Sequence, residues 1–244
     1  MATRTSRTFK NLNRTLGRAV HLYGMISDGD RIMVGLSGGK DSLTLLWMLN
    51  ERKTRIPIGY ELRAVYVDPG FDPGFGDPLM AFCQDLGVPL QVETTDFGVV
   101  AHGPTNRENP CFLCARRRRQ RIFEVAERYG CNKIALGHNK DDIIETVFMN
   151  MAFAGEISTM APSQSFFDGR FTIIRPLAYT DEQTIYRFSE ESGFPKLMNP
   201  CPSAGTSRRR VMKEFLSTLY ATNRKIKGNI FRSLSRVRPG YLLK

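Results

Sequence analysis

Residues 31–42 read RIMVGLSGGKDS, and this stretch decides the fold. Residues 31–37 are an apolar run that predicts a buried β-strand. The loop Ser37-Gly38-Gly39-Lys40-Asp41-Ser42 follows and leads into a predicted helix over residues 42–52. Glycines let a backbone approach a ligand closely, and the free N–H groups at a helix start favour an anion. The pattern therefore predicts a phosphate-binding loop. It is not a Walker A loop, and a serine-capped turn is the simpler alternative.

Outward from this stretch, apolar strands alternate with helices. Strands are predicted over residues 31–37, 61–68, 90–95, 133–137 and 171–175, and helices over residues 11–27, 42–52, 78–86, 115–129, 141–153, 181–192 and 208–220. This alternation predicts an α/β fold, a doubly wound parallel sheet with a helical and basic C-terminal extension. Segments 69–78 and 97–114 are predicted loops. Ligands of such sheets lie beyond the carboxyl ends of the strands, where residues 37–42, Asp68 and residues 137–142 fall.

The composition is that of a globular protein, and its charge favours polyanions such as nucleic acid or an anionic membrane surface. The chain has 244 residues, of which 41% are hydrophobic, and Lys and Arg outnumber Asp and Glu by 35 to 24. The resulting charge of +11 favours polyanions. No apolar run is long enough to cross a bilayer and no secretory signal is present, so we expect no membrane partner and a cytoplasmic location. The predicted division is a basic arm and helix (1–28), a nucleotide-binding domain with a cysteine-containing loop (29–205) and a basic helical region (206–244).

Three of the five cysteines are candidates for metal or redox chemistry. Cys111 and Cys114 form a CxxC, and Cys201 lies far along the chain in a predicted exposed loop. The CxxC spacing lets both sulfurs reach one metal or form a small disulfide ring. Cys83 and Cys131 have no matching partners and are interpreted as core thiols.

The motifs resemble those of a known family. VGLSGGKDS is similar to the PP-motif of the N-type ATP pyrophosphatases, which cleave ATP between the α and β phosphates and adenylate a carbonyl. The order of PP-motif, CxxC and distant cysteine resembles the TtcA/TtuA group of tRNA thiolation enzymes, and LGHNKDDIIET is close to the TtcA form. By this resemblance the nucleotide-binding residues are Leu36, Ser37, Gly38, Gly39, Lys40, Asp41, Ser42, Val67 and Gly137, with ATP and Mg²⁺ as ligands.

The same resemblance assigns the cysteines. In that group three cysteines hold a [4Fe-4S] cluster whose fourth iron lacks a protein ligand and can carry the sulfur to be transferred. The corresponding residues here are Cys111, Cys114 and Cys201. The chain has Ala204 where TtcA proteins often have a further cysteine, and the terminal zinc-ribbon cysteines of the TtuA branch are absent. A zinc site completed by His102 or His138 and a metal-free persulfide or disulfide pair remain alternatives.

Two charged residues complete the candidate site. Helical spacing places Arg118 on the face of Cys114 and Ile122, so it is predicted to point toward the core or the site. The resemblance assigns a basic residue at this offset to ATP phosphate or to the reacting centre, with a structural ion pair as the alternative. Asp142 is a candidate for Mg²⁺ binding or proton transfer by resemblance, and a helix cap is the alternative.

The resemblance to the TtcA/TtuA group implies an ATP-dependent tRNA sulfurtransferase that adenylates C2 of a pyrimidine, at cytidine 32, and yields 2-thiocytidine. The implied partners are tRNA, a sulfur donor (a cysteine desulfurase or sulfide) and a second copy in a homodimer. Basic residues 208–210 and the basic tail, with aromatic residues among them, are the predicted RNA surface. The alternatives are a TtuA-like 2-thiouridine synthase, another PP-loop sulfurtransferase, and an ATP- and zinc-binding RNA-binding module without enzyme activity.

Overall fold

One six-stranded sheet organises the described part of the chain. The computed structural model describes residues 4–205 and 208–241. Its strands are β1 (Asp30–Leu36), β2 (Tyr60–Asp68), β3 (Leu90–Thr94), β4 (Lys133–Ala135), β5 (Ser163–Phe166) and β6 (Phe171–Ile174). Their order is β3-β2-β1-β4-β6-β5, and every neighbouring pair is parallel except β5 with β6. The predicted α/β fold is confirmed, with one antiparallel edge strand that the sequence did not indicate.

Helices connect most of these strands. They are α1 (Arg7–Leu22), α2 (Lys40–Lys53), α3 (Gly76–Asp85), α4 (Phe97–His102), α5 (Pro110–Arg128), α6 (Lys140–Phe153), α7 (Glu182–Ser192), α8 (Arg208–Thr222) and α9 (Ile226–Ser233). Within the described ranges, no helix is both long and apolar enough to cross a membrane.

The central strand β1 is buried on both faces. Val34 and Leu36 belong to a core that also contains Leu12 of α1 and residues of α2, α3 and α7. Met33 points to the other face and packs in a second core with Val125 of α5. Because side chains alternate along a strand, an unbroken apolar run is what a strand covered on both faces requires.

The predicted loop over residues 97–114 was wrong at both of its ends. It contains α4, and α5 begins at Pro110, where the Asn109 side chain accepts a hydrogen bond from the N–H of Phe112 at 3.2 Å. Proline suits the first helical turn because its missing N–H has no intrahelical partner there. Cys111 and Cys114 therefore lie on the first turn of a helix rather than in a loop.

Local capping also moves the first helix. The sequence predicted residues 11–27, whereas α1 begins at Arg7 and ends at Leu22. Its start is fixed by Ser6, whose Oγ accepts from the N–H of Phe9 at 3.0 Å. A serine before an apolar helical stripe is a start signal that the sequence analysis did not use.

The contacts divide the chain into two compact units. The first comprises Met1–Asn139 and Ala161–Ala204, and contains the whole sheet. The second comprises Lys140–Met160 and Gly205–Lys244, with α6, α8 and α9 packed around Ile144, Met212 and Leu216. The three-part division at residues 28 and 205 remains a proposal, and the structure groups α6 with the C-terminal helices.

Candidate active site

The phosphate loop, residues 37–42, is shaped by its own glycines and serines. Gly38 has a φ of +80°, and a Cβ there would meet the ring of Phe75 at 2.5 Å. Ser42 Oγ accepts from the N–H of Ser37 at 3.2 Å and donates to the carbonyl of Gly39 at 2.9 Å. Gly39 caps the N-terminus of α2. The loop thus brings the N-terminus of α2 and the hydroxyl groups of Ser37 and Ser42 close together, and such a set of donors suits a phosphate.

The two charged residues of the phosphate loop are held by neighbours. Lys40 Nζ donates to Asp41 at 3.2 Å and to Glu182 at 2.9 Å. Burial alone lowers the pKa of Lys40, but the two carboxylates outweigh it, and the pKa lies above its ordinary value. Asn139 Nδ2 donates to Asp41 at 3.0 Å. The ammonium group of Lys40 is therefore already paired with two carboxylates, and a phosphate would have to compete with them for it.

Gly137 approaches the phosphate loop more closely than any side chain would permit. A Cβ at this position would lie 2.9 Å from the backbone nitrogen of Ser42 and 3.0 Å from the carbonyl carbon of Asp41. Contacts below 3.0 Å are essentially never made by real Cβ atoms. The glycine predicted from the resemblance therefore has a steric reason to be at this position.

The remaining predicted nucleotide residues end two parallel strands. Leu36 ends β1 and Val67 precedes Asp68 at the end of β2, and the side chains of Leu36 and Val67 are buried in the two cores. Only their backbone groups are left to face a ligand at this edge. Asp68 accepts from the N–H of Gly70 at 2.8 Å, which shapes the loop after β2.

The three candidate cysteines lie in the first unit. Cys111 is exposed, whereas Cys114 and Cys201 are partly buried. Burial raises the pKa of the Cys114 thiol, the nearby Arg118 opposes this, and Cys201 and Cys111 raise it further. Arg118 lies one helical turn after Cys114 on α5. Within residues 4–205 and 208–241, no three His, Cys, Asp or Glu side chains are grouped as ligands of a single metal ion.

A histidine anchors the segment that carries Cys201. His102 Nδ1 lies 2.8 Å from the carbonyl of Gly98, which only accepts, so Nδ1 carries the proton of the neutral ring. Nε2 is then the acceptor for Ser203 Oγ at 2.6 Å and lies 4.0 Å from Cys201 Sγ. Ring contact with Phe71 fixes the imidazole further. His102 thus connects α4 to the Cys201 segment, and its role as a zinc ligand stays an untested alternative.

Arg118 lines a small cavity beside the cysteines. Its Nε is buried and has no hydrogen-bond partner in the part of the chain that the structure describes. The cavity has a volume of about 170 Å³. Its walls come from α5, β4, the segment after β4, and β6: Ala115, Arg118, Arg119, Ile122, Phe123, Ile134, Leu136, His138 and Ile173. The structural ion pair considered for Arg118 is not formed with any described residue.

Asp142 belongs to the second unit, where it lies in the first turn of α6. It accepts from Arg209 Nη1 at 3.2 Å, and Arg209 Nε lies 3.7 Å from Glu145. Asp141 pairs with Lys227 in the same unit. The roles suggested for Asp142 in Mg²⁺ binding or proton transfer therefore remain proposals.

The second unit also carries the predicted RNA surface. Six of its arginines are exposed, namely Arg208, Arg210, Arg224, Arg232, Arg236 and Arg238. Arg208 lies over the ring of Phe153 at 4.9 Å, and Tyr241 is exposed. Such cationic and aromatic side chains are the groups that bind phosphates and unpaired bases.

Sequence reasoning missed several residues of the site. Glu182 and Ser203 carry no motif, so only the fold brings them to Lys40 and to His102. Asn139 was not among the predicted site residues, yet it is buried and donates to Asp41.

Comparison with known proteins places this site in context. A family model described as a PP-loop domain matches residues 3–197. The chain is 41% identical over 239 residues to a tRNA-cytidine(32) 2-sulfurtransferase of Geobacter sulfurreducens, covering 96% of this chain and 93% of that protein. A protein of the same description from Geotalea uraniireducens is 40% identical and covers 100% of this chain and 98% of its own length.

A solved structure is also similar. The U34-tRNA thiolase NcsA of Methanococcus maripaludis, solved with its [4Fe-4S] cluster, matches with a TM-score of 0.76 and 25% identity. The match covers 94% of this chain and 78% of that one. An NH3-dependent NAD synthetase from Campylobacter jejuni, at 12% identity, a TM-score of 0.53 and coverage of 95% and 93%, shares the fold.

Proposed function

The chain belongs to the PP-loop domain family, and from this premise we propose that it is an ATP-dependent tRNA sulfurtransferase that converts cytidine 32 to 2-thiocytidine. The observation that carries the proposal is the presence, in one unit, of a glycine-built phosphate loop and of the three candidate cysteines. The relatives of that description, which match nearly the full length, support the reaction and the position.

The phosphate loop binds ATP and sets up adenylation. Backbone N–H groups of Gly38 and Gly39 and the hydroxyls of Ser37 and Ser42 hold the phosphates, with the start of α2 stabilising their charge. Asp41, oriented by Asn139, is placed to hold Mg²⁺ against the phosphates. The C2 oxygen of cytosine attacks the α-phosphorus, and pyrophosphate leaves. The oxygen on C2 then departs as AMP, a far better leaving group than an oxide.

The cysteine set fits a [4Fe-4S] cluster. Cys111, Cys114 and Cys201 supply three thiolates, and each would bind a different iron, so the sulfurs need not converge on one point. When bound, the cluster supplies the sulfur that replaces oxygen at C2. Arg118 lies one helical turn after Cys114, and its positive charge opposes the rise in the pKa of that thiol that burial causes.

The remaining roles follow from placement. Arg118 faces the reacting centre rather than a structural partner, because its buried Nε has none among the described residues. Asp142 is proposed as a Mg²⁺ ligand or proton carrier, and its ion pair with Arg209 orients its carboxylate. Exposed arginines of the second unit bind tRNA phosphates. We further propose a cytoplasmic location, a cysteine desulfurase or sulfide as donor, and a homodimer.

The decisive experiment measures iron, acid-labile sulfide and 2-thiocytidine together. Anaerobically purified protein is compared with Cys201→Ala, and Cys131→Ala serves as a control because that thiol is buried in the second core. We expect a cluster and thiolation in the wild type and in the control, and loss of both in Cys201→Ala. Stoichiometric zinc without sulfide would overturn the cluster assignment.

A second candidate function is 2-thiouridine synthesis, favoured by the similarity to a U34-tRNA thiolase. Nucleoside analysis of tRNA from a deletion strain separates the two. Loss of 2-thiocytidine supports the first proposal, and loss of a 2-thiouridine supports the second.

A further inference from the structure

We infer that the cavity between α5 and the carboxyl ends of β4 and β6 receives the extruded pyrimidine of the RNA, and that Arg118 recognises cytosine at N3. This inference rests on the proposed function and deepens it, because it names the residue that selects the base.

The shape and lining of the cavity suit a flat base. Its volume is about 170 Å³, and its walls are mostly apolar, with Ile122, Phe123 and Ile134 among them. The polar side chains that line it are Arg118, Arg119 and His138. Enzymes that modify a base take it out of the stack into a pocket that combines apolar walls with hydrogen bonds to the pairing edge. Loop bases of RNA are only partly stacked, which lowers the cost of extrusion.

The position of the cavity connects it with the reacting groups. Arg118 lies one helical turn after Cys114 and influences the pKa of that thiol. At Gly35 of β1, a Cβ would lie 3.0 Å from Leu136 and 3.5 Å from Ile122, two side chains that line the cavity. Gly35 precedes the first residue of the phosphate loop by two positions. A base in this cavity therefore lies between the cysteines and the strand that leads to the ATP site.

Arg118 has donors and no acceptor, which decides the base that it can select. Neither Arg118 nor Arg119 forms an ion pair or side-chain hydrogen bond within residues 4–205 and 208–241. N3 of cytosine is an acceptor, whereas N3 of uracil carries a proton. A guanidinium donates to the first and meets a donor in the second. A site that pairs with a polar edge rejects an analogue that leaves its groups unpaired.

Two substitutions test the inference independently, one by removing the hydrogen-bond donors and the other by filling the cavity. Arg118→Met keeps an unbranched side chain and removes the donors, and Ala115→Phe fills the cavity mouth from an exposed helical position. Arg128→Met is the control, because Arg128 is exposed at the far end of α5 and pairs with Glu93. Folding of each variant is checked by thermal unfolding.

Base recognition is read by dimethyl sulfate, which methylates N3 of unpaired cytidine. An anticodon stem–loop RNA is probed with and without protein, and ATP affinity is measured separately. We expect the wild type and Arg128→Met to protect N3 of the target cytidine, and Ala115→Phe and Arg118→Met to lose protection while ATP affinity stays within about twofold. Where thiolation is measurable, Arg118→Met should lower the preference for cytidine over uridine by at least about tenfold.

The outcomes separate this inference from the proposed function. Protection of N3 that survives both substitutions would overturn the inference. A fall in ATP affinity while the RNA footprint stays intact would also overturn it, and would assign the cavity to the nucleotide. A wild type that thiolates no RNA yet protects N3 would remove the proposed function and leave the base-binding cavity standing.

Discussion

The close approach of Gly137 to the phosphate loop gives the sharpest prediction for substitution. In Gly137→Ala the new methyl carbon starts 2.9 Å from the backbone nitrogen of Ser42, and ordinary contact begins at 3.4 Å. The loop must therefore shift by about 0.5 Å. The obstacle is backbone on a helix start rather than the flexible end of a side chain, so neither partner yields easily.

The size of the effect follows from this geometry. Overpacking of a well-packed site costs about 1–3 kcal/mol of unfolding free energy. Misplacement of binding groups by about 1 Å can lower a rate by about 100-fold, so a shift of half that size should weaken ATP binding by about tenfold or more. Both effects have one cause, because the shifted groups are those that hold the phosphates.

The assay combines urea unfolding with calorimetric titration of ATP. Gly76→Ala is the matched control, since a Cβ there meets only Val92 at 3.8 Å, an ordinary contact. If Gly137→Ala kept wild-type ATP affinity and stability, the close approach would have no bearing on the loop and the steric reasoning would be refuted.

Three further predictions concern the surroundings of the site. His102→Ala should lower the iron content and speed cluster loss to a chelator, because the Cys201 segment loses its hydrogen bond to His102. The control His21→Ala should behave as wild type. Equal iron content in His102→Ala and the wild type would contradict the anchoring role. Asn139→Ala should cost about 1.5–3 kcal/mol of stability and weaken ATP binding by removing the bond to Asp41, as urea unfolding and titration will show. Burial raises the pKa of Cys83 from 9.0 to about 11, so its stabilising contribution is complete below pH 9 and is lost as the pH rises through 11. Urea unfolding between pH 8 and 11 should therefore show a decline that Cys83→Val reduces, and an unchanged slope would contradict it.

The sequence predicted the fold well where patterns are strong and local. The apolar run of β1 and the glycines after it indicated both the strand and the loop, because burial on both faces and a tight turn each leave a clear residue pattern. β5 was missed because its four residues, Ser163–Phe166, are mostly polar and form an edge hairpin. The start of α5 was misplaced because Asn109 and Pro110 were not interpreted as a cap.

The site was predictable only as far as its motifs extend. The cysteines, the phosphate loop and Arg118 were found by spacing or resemblance. The interactions that hold them were not, since Glu182 reaches Lys40 and Ser203 reaches His102 across 142 and 101 residues of sequence. Contacts at such separation depend on the fold as a whole and leave no local pattern.

The helical placement of the CxxC has a consequence for the order in which a cluster is assembled. Cys111 and Cys114 are held on the helical backbone of α5 before any iron binds, whereas Cys201 lies on an irregular segment. A donor on a rigid turn loses little entropy on binding, but a donor that closes a long loop loses more. Iron should therefore be captured first by the helical pair, with Cys201 joining last and setting how long the cluster is retained.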